Sequence, residues 1–322
     1  LAATVSRRLD MSSENLVVDV GCNDGTLLAG FKKTGVRPFG IDPAANLAAL
    51  AGEKGIDTQV GFFGKATAEQ LLEAHGTASA ITATNVFPHI PDLADFVAGL
   101  RVLLAENGAF VLEAHYLQDL MEQGAWDTVY HEHCSYWALG PMINLFSQFG
   151  LEVFDVERLP IHHGQLRVWV QHKGHRPVCS SVKALLESER EKGLHDFQTF
   201  AAFADKARAA RDQLIGTLEA MRKDGKTVVG YGAPAKGNTL LTFLGLGPDN
   251  VAYIADKSPL KQGRFTPGTH IPVVPAERIL EDQPDYVLLL AWNFADEILA
   301  QQSEYRARGG KFIIPVPEVK ID

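Results

Sequence analysis

The sequence predicts an α/β protein with two successive domains, each built on a mostly parallel sheet. The first observation is the apolar run 16–20, which precedes a turn bracketed by Gly21 and Gly25 and then a helical pattern. The second is that strand and helix patterns alternate through the first 113 residues, which favours a parallel sheet with right-handed crossovers. The third is another strand, glycine turn and helix beginning at Lys226.

The first domain is expected over residues 1–150. After the strand at 16–20, further strands are predicted at 37–41, 55–60, 79–85 and 108–113, and helices at 46–53 and 92–105. Residues 151–224 are expected to form alternating strands and then a helical connector. The turn between the strands, at 161–164, is expected to lie at the surface or over a substrate. The connector is expected to contain two helices with a break near Gly193. Residues 225–322 are expected to form the second domain, with strands at 253–256, 286–290 and 311–314.

Composition and charge exclude several classes of protein. The 322 residues carry 30 Lys and Arg against 39 Asp and Glu, a net charge of −9, which disfavours a general nucleic-acid binder but leaves room for a local basic pocket. Three distant cysteines support neither a disulfide framework nor a zinc knuckle, so we expect a reducing cytoplasm. No run of 18 apolar residues predicts a membrane span. Because the chain starts at Leu1 rather than Met, we expect residues upstream.

The first turn has the spacing D-x-G-x-x-x-G, from Asp19 through Gly21 to Gly25. Asn23 breaks the G-x-G-x-x-G pattern that lets backbone approach a dinucleotide pyrophosphate. A carboxylate at the mouth of such a turn suits a cationic ligand with an amine, which favours S-adenosylmethionine (SAM). Binding of an NAD-type cofactor and a plain packing turn are the alternatives.

Polar residues follow two of the predicted strands at the carboxyl edge of the sheet, where doubly wound folds carry their sites. Asp42 follows the second strand, where an acidic residue accepts the ribose hydroxyls of a nucleoside; its alternative role is to cap the next helix. Asn85 and His89 follow the fourth strand and are expected to face the reaction site. A purely structural role for His89 is the alternative.

The segment 126–137 concentrates imidazoles, a carboxylate and aromatic rings, which are costly to bury without a purpose. Acid–base chemistry is the favoured explanation, and a zinc site or a satisfied structural cluster are the alternatives. His131 and His133 point apart on a helix, although on a strand they would meet one metal, and H-E-x-x-H is absent. If a single helical turn forms, Tyr130 and His133 share one face.

The second glycine turn contains Gly230, Gly232 and Gly237, and Lys236 lies at the start of the following helix, where it suits a phosphate. Basic residues follow Asp256 on the next loop: Lys257, Lys261, Arg264 and His270. This cluster suggests a pyrophosphate substrate, with a solvated charged loop as the alternative. NAD in this domain is a further alternative, but the turn departs from dinucleotide spacing and Lys257 directly follows the acidic residue.

Four blocks, in this order, resemble the SAM-dependent sugar C-methyltransferases: Asp19 to Gly25, Asn85-Val-Phe-Pro-His89, Tyr130-His-Glu-His133 and Gly230-Tyr-Gly-Ala-Pro-Ala-Lys-Gly-Asn-Thr239. Those enzymes methylate C-3 of TDP-linked 4-keto-deoxysugars for antibiotic decoration, and the resemblance covers essentially the whole chain. It implies a SAM-methyltransferase Rossmann-like domain followed by a second, smaller Rossmann-like domain that binds the nucleotide sugar. Family members usually carry a Cys-rich zinc module before the SAM domain. That module is not in this sequence, so zinc is expected only upstream and no metal is expected here.

With this resemblance, we expect the cofactor to be held by the first turn and the strand ends beside it: Asp19, Gly21, Asn23, Gly25, Asp42 and Asn85. The resemblance implies that His133 is the base, although spacing alone does not distinguish it from His131. Tyr130 is the candidate donor at an enolate oxygen, Glu132 orients a neighbouring group, and His89 holds the sugar. Substrate contacts are expected from the second domain: Lys236, Asn238, Arg264, Trp292 and Asn293.

The expected partner is a nucleotide-diphosphate keto-sugar, with no nucleic acid and no membrane, acted on by a monomer or a dimer. Two other functions stay open from the sequence. One is an O- or N-methyltransferase of a small nucleotide-linked metabolite, and the other is a SAM- or nucleotide-binding protein without turnover. The cluster from Tyr130 to His133 argues against the second, because a binding module has little need of a base beside the cofactor.

Overall fold

The computed structural model describes residues 1–161 and 164–322, which form two compact units. Unit 1 contains Leu1–Asp119 and Glu132–His195, and unit 2 contains Leu120–His131 and Asp196–Asp322. The boundary expected at residue 150 does not coincide with these units, because the two strands that follow it complete the sheet of unit 1. The turn expected at 161–164 includes His162 and His163, which lie outside the described residues.

Seven strands form the sheet of unit 1: β1 (Leu16–Val20), β2 (Arg37–Asp42), β3 (Asp57–Val60), β4 (Ala78–Thr84), β5 (Leu104–His115), β6 (Leu151–Leu159) and β7 (Gln165–His172). Their order is β3-β2-β1-β4-β5-β7-β6. The first five strands are parallel, which confirms the predicted sheet. Strand β7 runs antiparallel to both β5 and β6, so the last two strands form an antiparallel edge.

The helices that accompany this sheet are α1 (Ala2–Arg8), α2 (Thr26–Lys32), α3 (Ala45–Glu53), α4 (Lys65–His75), α5 (Leu93–Leu103), α7 (Leu139–Ser147) and α8 (Ser180–Glu191), while α6 (Leu117–Glu122) begins in unit 1 and ends in unit 2. Strand β1 is buried on both faces, as expected for a central parallel strand. Val18 packs into the core cluster that contains Phe110, whereas Val17 packs into the opposite cluster with Phe31 and Trp169. The apolar run therefore places the first glycine turn at the centre of the sheet edge.

Six strands form the sheet of unit 2: β8 (Val228–Tyr231), β9 (Ile254–Asp256), β10 (Val273–Pro275), β11 (Tyr286–Leu289), β12 (Lys311–Ile314) and β13 (Lys320–Ile321). Their order is β10-β9-β8-β11-β12-β13, and β13 is antiparallel to β12. The strands predicted in this domain are confirmed, whereas the short β10 and β13 were not predicted. The second Rossmann-like sheet therefore has the predicted strand–turn–helix at its centre.

The helices of unit 2 are α9 (Phe197–Lys223), α10 (Ala235–Leu244), α11 (Arg278–Asp282), α12 (Ala295–Gln301) and α13 (Ser303–Ala307). The break predicted near Gly193 is confirmed, since it falls between α8 and α9. A 3-10 helix at Trp126–Thr128 also belongs to unit 2, although it precedes much of unit 1 in the chain. None of the helices within the described ranges is long and apolar enough to cross a bilayer.

Candidate active site

The turn after β1 has a backbone that only glycine accommodates at Gly21. Its φ is +69°, and an added Cβ would lie 2.3 Å from Cγ2 of Val86. The amides of Gly21 and Cys22 donate to the carbonyl of Ile41 at 2.8 and 3.2 Å, which ties the turn to the end of β2. Gly25, with φ +74°, is the N-cap of α2. The two glycines thus let the turn pack closely against Val86 and Ala51, where a larger residue would collide.

The carboxylate of Asp42 is fixed against this turn. One oxygen accepts from the backbone amide of Asn23 at 2.9 Å, and the other accepts from the amide of Ala44 at 2.9 Å. Asp42 does not cap α3 as the alternative proposed, because Ala44 occupies the N-cap position. Asn23 itself has φ +53°, so the backbone bends toward the carboxylate. The geometry leaves the remaining lone pairs of Asp42 available to ribose hydroxyls.

Asp19 lies deeper than the sequence suggested. It is only 2% exposed within β1, and it accepts a hydrogen bond from the Thr82 hydroxyl at 2.6 Å. It is not among the described residues that line the neighbouring cavity, so it lies behind the turn rather than at its mouth. Burial raises the pKa of Asp19 to about 7, opposed by the Thr82 hydrogen bond and reinforced by the charge of Asp42.

A cavity of about 420 Å³ opens beside the turn. Its wall comes from the ends of β1 and β2, from the loop after β3 and from the loop after β4, and includes Gly21, Asp42, Phe62, Asn85, Val86 and His89. The two aromatic residues after β3 separate in role. Both residues line the cavity, but Phe63 is buried and packs edge-on against Phe96, whereas Phe62 is 81% exposed. An apolar wall with few polar groups is typical of a small-molecule site.

Asn85 continues this wall directly after β4. Its φ of +58° is unusual for a residue other than glycine, and its amide donates to the carbonyl of Glu113 at 2.8 Å. A 3-10 helix at Phe87–His89 follows and brings His89 to the rim of the cavity. Both predicted residues therefore lie at the carboxyl edge of the sheet.

Three imidazoles meet at this edge within unit 1. The ring centroids of His89 and His133 are 5.0 Å apart, and those of His133 and His115 are 5.5 Å apart. The segment of His133 is held there because the amide of Cys134 donates to the carbonyl of Pro88 at 2.8 Å. His115 was not among the predicted site residues, because the fifth strand was expected to end at Glu113. Its position at the carboxyl end of β5, two residues beyond Glu113, could have indicated that it belongs to the site.

The Tyr130 to His133 block does not form the helical turn that would place Tyr130 and His133 on one face. His131 and Glu132 form an exposed turn, and the ring of Tyr130 packs edge-on against that of His131 at 5.9 Å. By their contacts Tyr130 and His131 belong to unit 2, whereas Glu132 and His133 belong to unit 1. As for the zinc alternative, the described residues contain no group of three or more His, Cys, Asp or Glu placed to hold a metal ion.

The glycine turn of unit 2 repeats the arrangement of unit 1. Gly232 has φ +82°, and an added Cβ would lie 2.8 Å from that of Ala291. At the end of β9, one carboxylate oxygen of Asp256 accepts from the amide of Ala233 at 2.6 Å, and the other accepts from Ser258 at 2.7 Å. This carboxylate was not among the predicted site residues, although the corresponding position after the second strand had singled out Asp42 in unit 1.

Lys236 lies in the first turn of α10 but is already engaged within unit 2. Its ammonium is 3.6 Å from a carboxylate oxygen of the fully buried Asp127 and 3.9 Å from the centre of the Trp292 ring. The indole of Trp292 donates to the same oxygen of Asp127 at 2.6 Å. Burial lowers the pKa of Lys236 and raises that of Asp127, and the attraction between the two groups opposes both changes.

The other predicted substrate residues occupy varied positions in unit 2. Asn238 is half-buried on α10, and Arg264 is exposed between β9 and β10. Asn293 follows Trp292, and its buried Oδ1 accepts no hydrogen bond from the described residues. Lys261 rather than Arg264 reaches the glycine turn, because its ammonium donates to the carbonyl of Ala233 at 2.9 Å.

The order of the first sheet, the glycine turn after β1 and the carboxylate at the end of β2 define a SAM-dependent methyltransferase. A family model of a methyltransferase domain matches residues 1–156, and a model of the C-methyltransferase C-terminal domain matches residues 160–317. The chain is 38% identical over 315 residues to the C-methyltransferase NovU of Streptomyces niveus, an alignment that covers 98% of this chain and 75% of that protein. The chain therefore belongs to the C-methyltransferase family.

More distant similarities are confined to part of the chain. The ubiquinone biosynthesis O-methyltransferase of Xanthomonas oryzae pv. oryzae is 29% identical over 110 residues, which are 34% of this chain and 46% of that protein. A solved SAM-dependent methyltransferase from Anabaena variabilis aligns with a TM-score of 0.43 at 18% identity, covering 53% of this chain and 83% of that one. A TehB-like SAM-dependent methyltransferase from Corynebacterium glutamicum aligns with a TM-score of 0.40 at 14% identity, covering 53% and 87%.

The residues present fit the cofactor of this class. Gly21 and Asp42 both line the cavity, and two backbone amides immobilise the Asp42 carboxylate there, as a ribose would require. Phe62 and the apolar wall suit an adenine ring, whose faces bury well against aromatic side chains.

Proposed function

We propose that this enzyme methylates a nucleotide-linked keto-deoxysugar at C-3, the carbon next to the ketone. The observation that carries the proposal is the pair of imidazoles, His89 and His133, whose rings lie 5.0 Å apart with His89 at the rim of the cofactor cavity. A carbon becomes nucleophilic only after a proton leaves it, so C-methylation requires a base within hydrogen-bond reach of that proton. An imidazole is the side chain best suited to that task near neutral pH.

His133 is the proposed base. It packs between His89 and His115, whereas His131 is exposed and packs against Tyr130. This difference supports His133, in agreement with the role implied by the family resemblance. The cofactor supplies an electrophilic methyl group when it is bound, so the protein has to generate and position the nucleophile.

The remaining residues of the block are proposed to handle charge and orientation. Loss of the α-proton moves negative charge to the ketone oxygen, which requires a hydrogen-bond donor. Tyr130 is the proposed donor, Glu132 orients a neighbouring imidazole or a polar group of the sugar, and His89 holds the sugar. Asp19, Gly21, Asn23, Gly25, Asp42 and Asn85 are the proposed cofactor residues, with Asp19 acting from behind the turn.

Unit 2 is the proposed site of the nucleotide part of the substrate. Asp256 supports this role, because its carboxylate is held by two backbone amides in the same way as Asp42 in unit 1. The exposed Arg264 supplies positive charge for a diphosphate, and Asn238 and Asn293 supply amide groups. Lys236 and Trp292 are proposed to take part in a changed arrangement, in which phosphate replaces Asp127 as the partner of the ammonium.

The test combines methyl transfer with proton exchange. His133→Asn is compared with the matched variant His131→Asn, using labelled SAM, a panel of nucleotide-linked keto-sugars and deuterated water. We expect His133→Asn to lower both methyl transfer and exchange of the α-proton by about 100-fold or more, whereas His131→Asn retains both. SAM binding by calorimetry serves as the control that each variant has an intact cofactor cavity.

Three results would contradict the proposal. Exchange at the wild-type rate in His133→Asn would remove that residue as the base. Label found on oxygen or nitrogen would show an O- or N-methyltransferase, and no transfer to any substrate, with SAM bound, would favour a binding protein.

A further inference from the structure

Asn85 is held in a conformation that its own backbone does not favour. Its φ of +58° places it in the left-handed region, and it lies at the wall of the cofactor cavity. Its backbone amide is fixed by the carbonyl of Glu113, so the side chain leaves the sheet edge in a defined direction. Backbone strain of this kind persists only where surrounding groups hold it, and it is frequent at ligand sites.

A buried glutamine from another strand contacts the side chain of Asn85. Gln165, the first residue of β7, is 0% exposed, and its Nε2 donates to Oδ1 of Asn85 at 2.5 Å. In the antiparallel pairing of β5 and β7, Gln165 lies opposite His115 at the carboxyl end of β5. Strand pairing therefore delivers this amide to Asn85 from a position 80 residues further along the chain.

The contact determines which end of the Asn85 amide is available. An asparagine side chain has one acceptor end and one donor end. Because Gln165 donates to Oδ1, that oxygen is turned toward β7, and the NH₂ group at the other end of the amide remains to donate. We infer that Gln165 is a positioning residue that fixes Asn85 as a hydrogen-bond donor toward an acceptor group of the bound cofactor, such as its carboxylate or a hydroxyl oxygen. This inference rests on the proposed assignment of Asn85 to the cofactor cavity.

A structural role alone would have different consequences. A buried glutamine that only stabilises the sheet edge would affect unfolding, whatever residue stands at position 85. A positioning residue acts through Asn85, so its removal has no further effect on cofactor affinity once the Asn85 amide is gone.

The experiment is a double-mutant cycle on cofactor affinity. Gln165→Met keeps the length of the side chain and removes the donor, and Asn85→Ala removes the amide. Dissociation constants for SAM and S-adenosylhomocysteine are measured by calorimetry for the wild type, both single variants and the double variant. We expect each single variant to bind about tenfold more weakly, and the double variant to bind no more weakly than Asn85→Ala.

Gln171→Met is the matched control. Gln171 is also 0% exposed on β7, but it bonds Glu152 and the carbonyl of Arg176 rather than a cavity residue. We expect this variant to lower the unfolding midpoint while cofactor affinity stays at the wild-type value. Circular dichroism of every variant verifies that the proteins compared are folded.

The results distinguish the positioning role of Gln165 from the assignment of Asn85 to the cofactor, on which that role depends. Wild-type affinity in Asn85→Ala would refute the assignment of Asn85 to the cofactor. A loss in Asn85→Ala with no loss in Gln165→Met, or losses that simply multiply in the double variant, would refute the positioning role of Gln165.

Discussion

Replacing Asp19 by Asn is expected to change how stability depends on pH. Asp19 carries a buried carboxyl group near the carboxyl end of β1, and burial raises its pKa from the ordinary value of 3.8 to about 7. Asn has nearly the same shape, and its carbonyl oxygen still accepts the hydrogen bond of Thr82. The substitution therefore removes the titration while retaining the packing and the hydrogen bond.

The sign follows from proton binding in the two states. Between pH 3.8 and about 7 the folded protein keeps a proton on Asp19 that the unfolded chain has released, so stability falls as pH rises through this window. At about 1.4 kcal/mol per pKa unit, the full destabilisation above pH 7 is about 4 kcal/mol. Asp19→Asn is thus expected to be more stable than the wild type at pH 8 by up to this amount, and nearly equal to it at pH 4.

Urea unfolding at a series of pH values between 4.5 and 8.5 measures the difference between the two proteins. Asp57→Asn, which alters an exposed carboxylate on β3, is the control and is expected to leave the free energy of unfolding nearly unchanged at every pH. A difference between Asp19→Asn and the wild type that does not change with pH would refute the reasoning. So would a variant that is less stable than the wild type at pH 8.

Two further substitutions test the turn of unit 1 and the buried ion pair of unit 2. Gly21→Ala is expected to weaken SAM binding by more than about tenfold, because its Cβ would lie 2.3 Å from Val86 and displace the cavity wall. Gly35→Ala, at φ +86° with open space around it, is the control for backbone strain, and equal SAM affinity in both variants would contradict the argument. Asp127→Asn is expected to lower the free energy of unfolding by about 3–5 kcal/mol, because it leaves the Lys236 ammonium buried without its counter-charge. Adding Lys236→Met to this variant is expected to recover most of the lost free energy of unfolding, as measured by urea unfolding. A double variant as unstable as Asp127→Asn alone would disprove the explanation.

Local patterns were sufficient for the five parallel strands of unit 1 and for four strands of unit 2. The apolar, β-branched run at 16–20 predicted the buried strand β1, and the spacing of Gly21 and Gly25 predicted the turn that follows it. The break near Gly193 was predicted because glycine interrupts a helical pattern. These features depend on the residues within one or two turns of chain, so the linear sequence contains them.

Local patterns did not predict that β6 and β7 form the antiparallel end of the first sheet. Strands β6 and β7 looked like part of a connector, because their alternation does not tell which sheet they join. The pairing of β7 with β5 depends on contacts between residues more than 50 positions apart, such as Glu113 with Arg167. The same pairing places Gln165 beside Asn85.

The sequence by itself determined two α/β units, a glycine turn suited to SAM and a segment rich in imidazoles and aromatic rings, because spacing and residue type are local properties. Only the tertiary structure decided that His115 joins His89 and His133, that Asp19 is buried behind the turn, and that Lys236 is engaged by Asp127. The physical reason is that burial and charge pairing arise from segments far apart in the chain. They exist only after strands have paired and the side chains between them have lost their water.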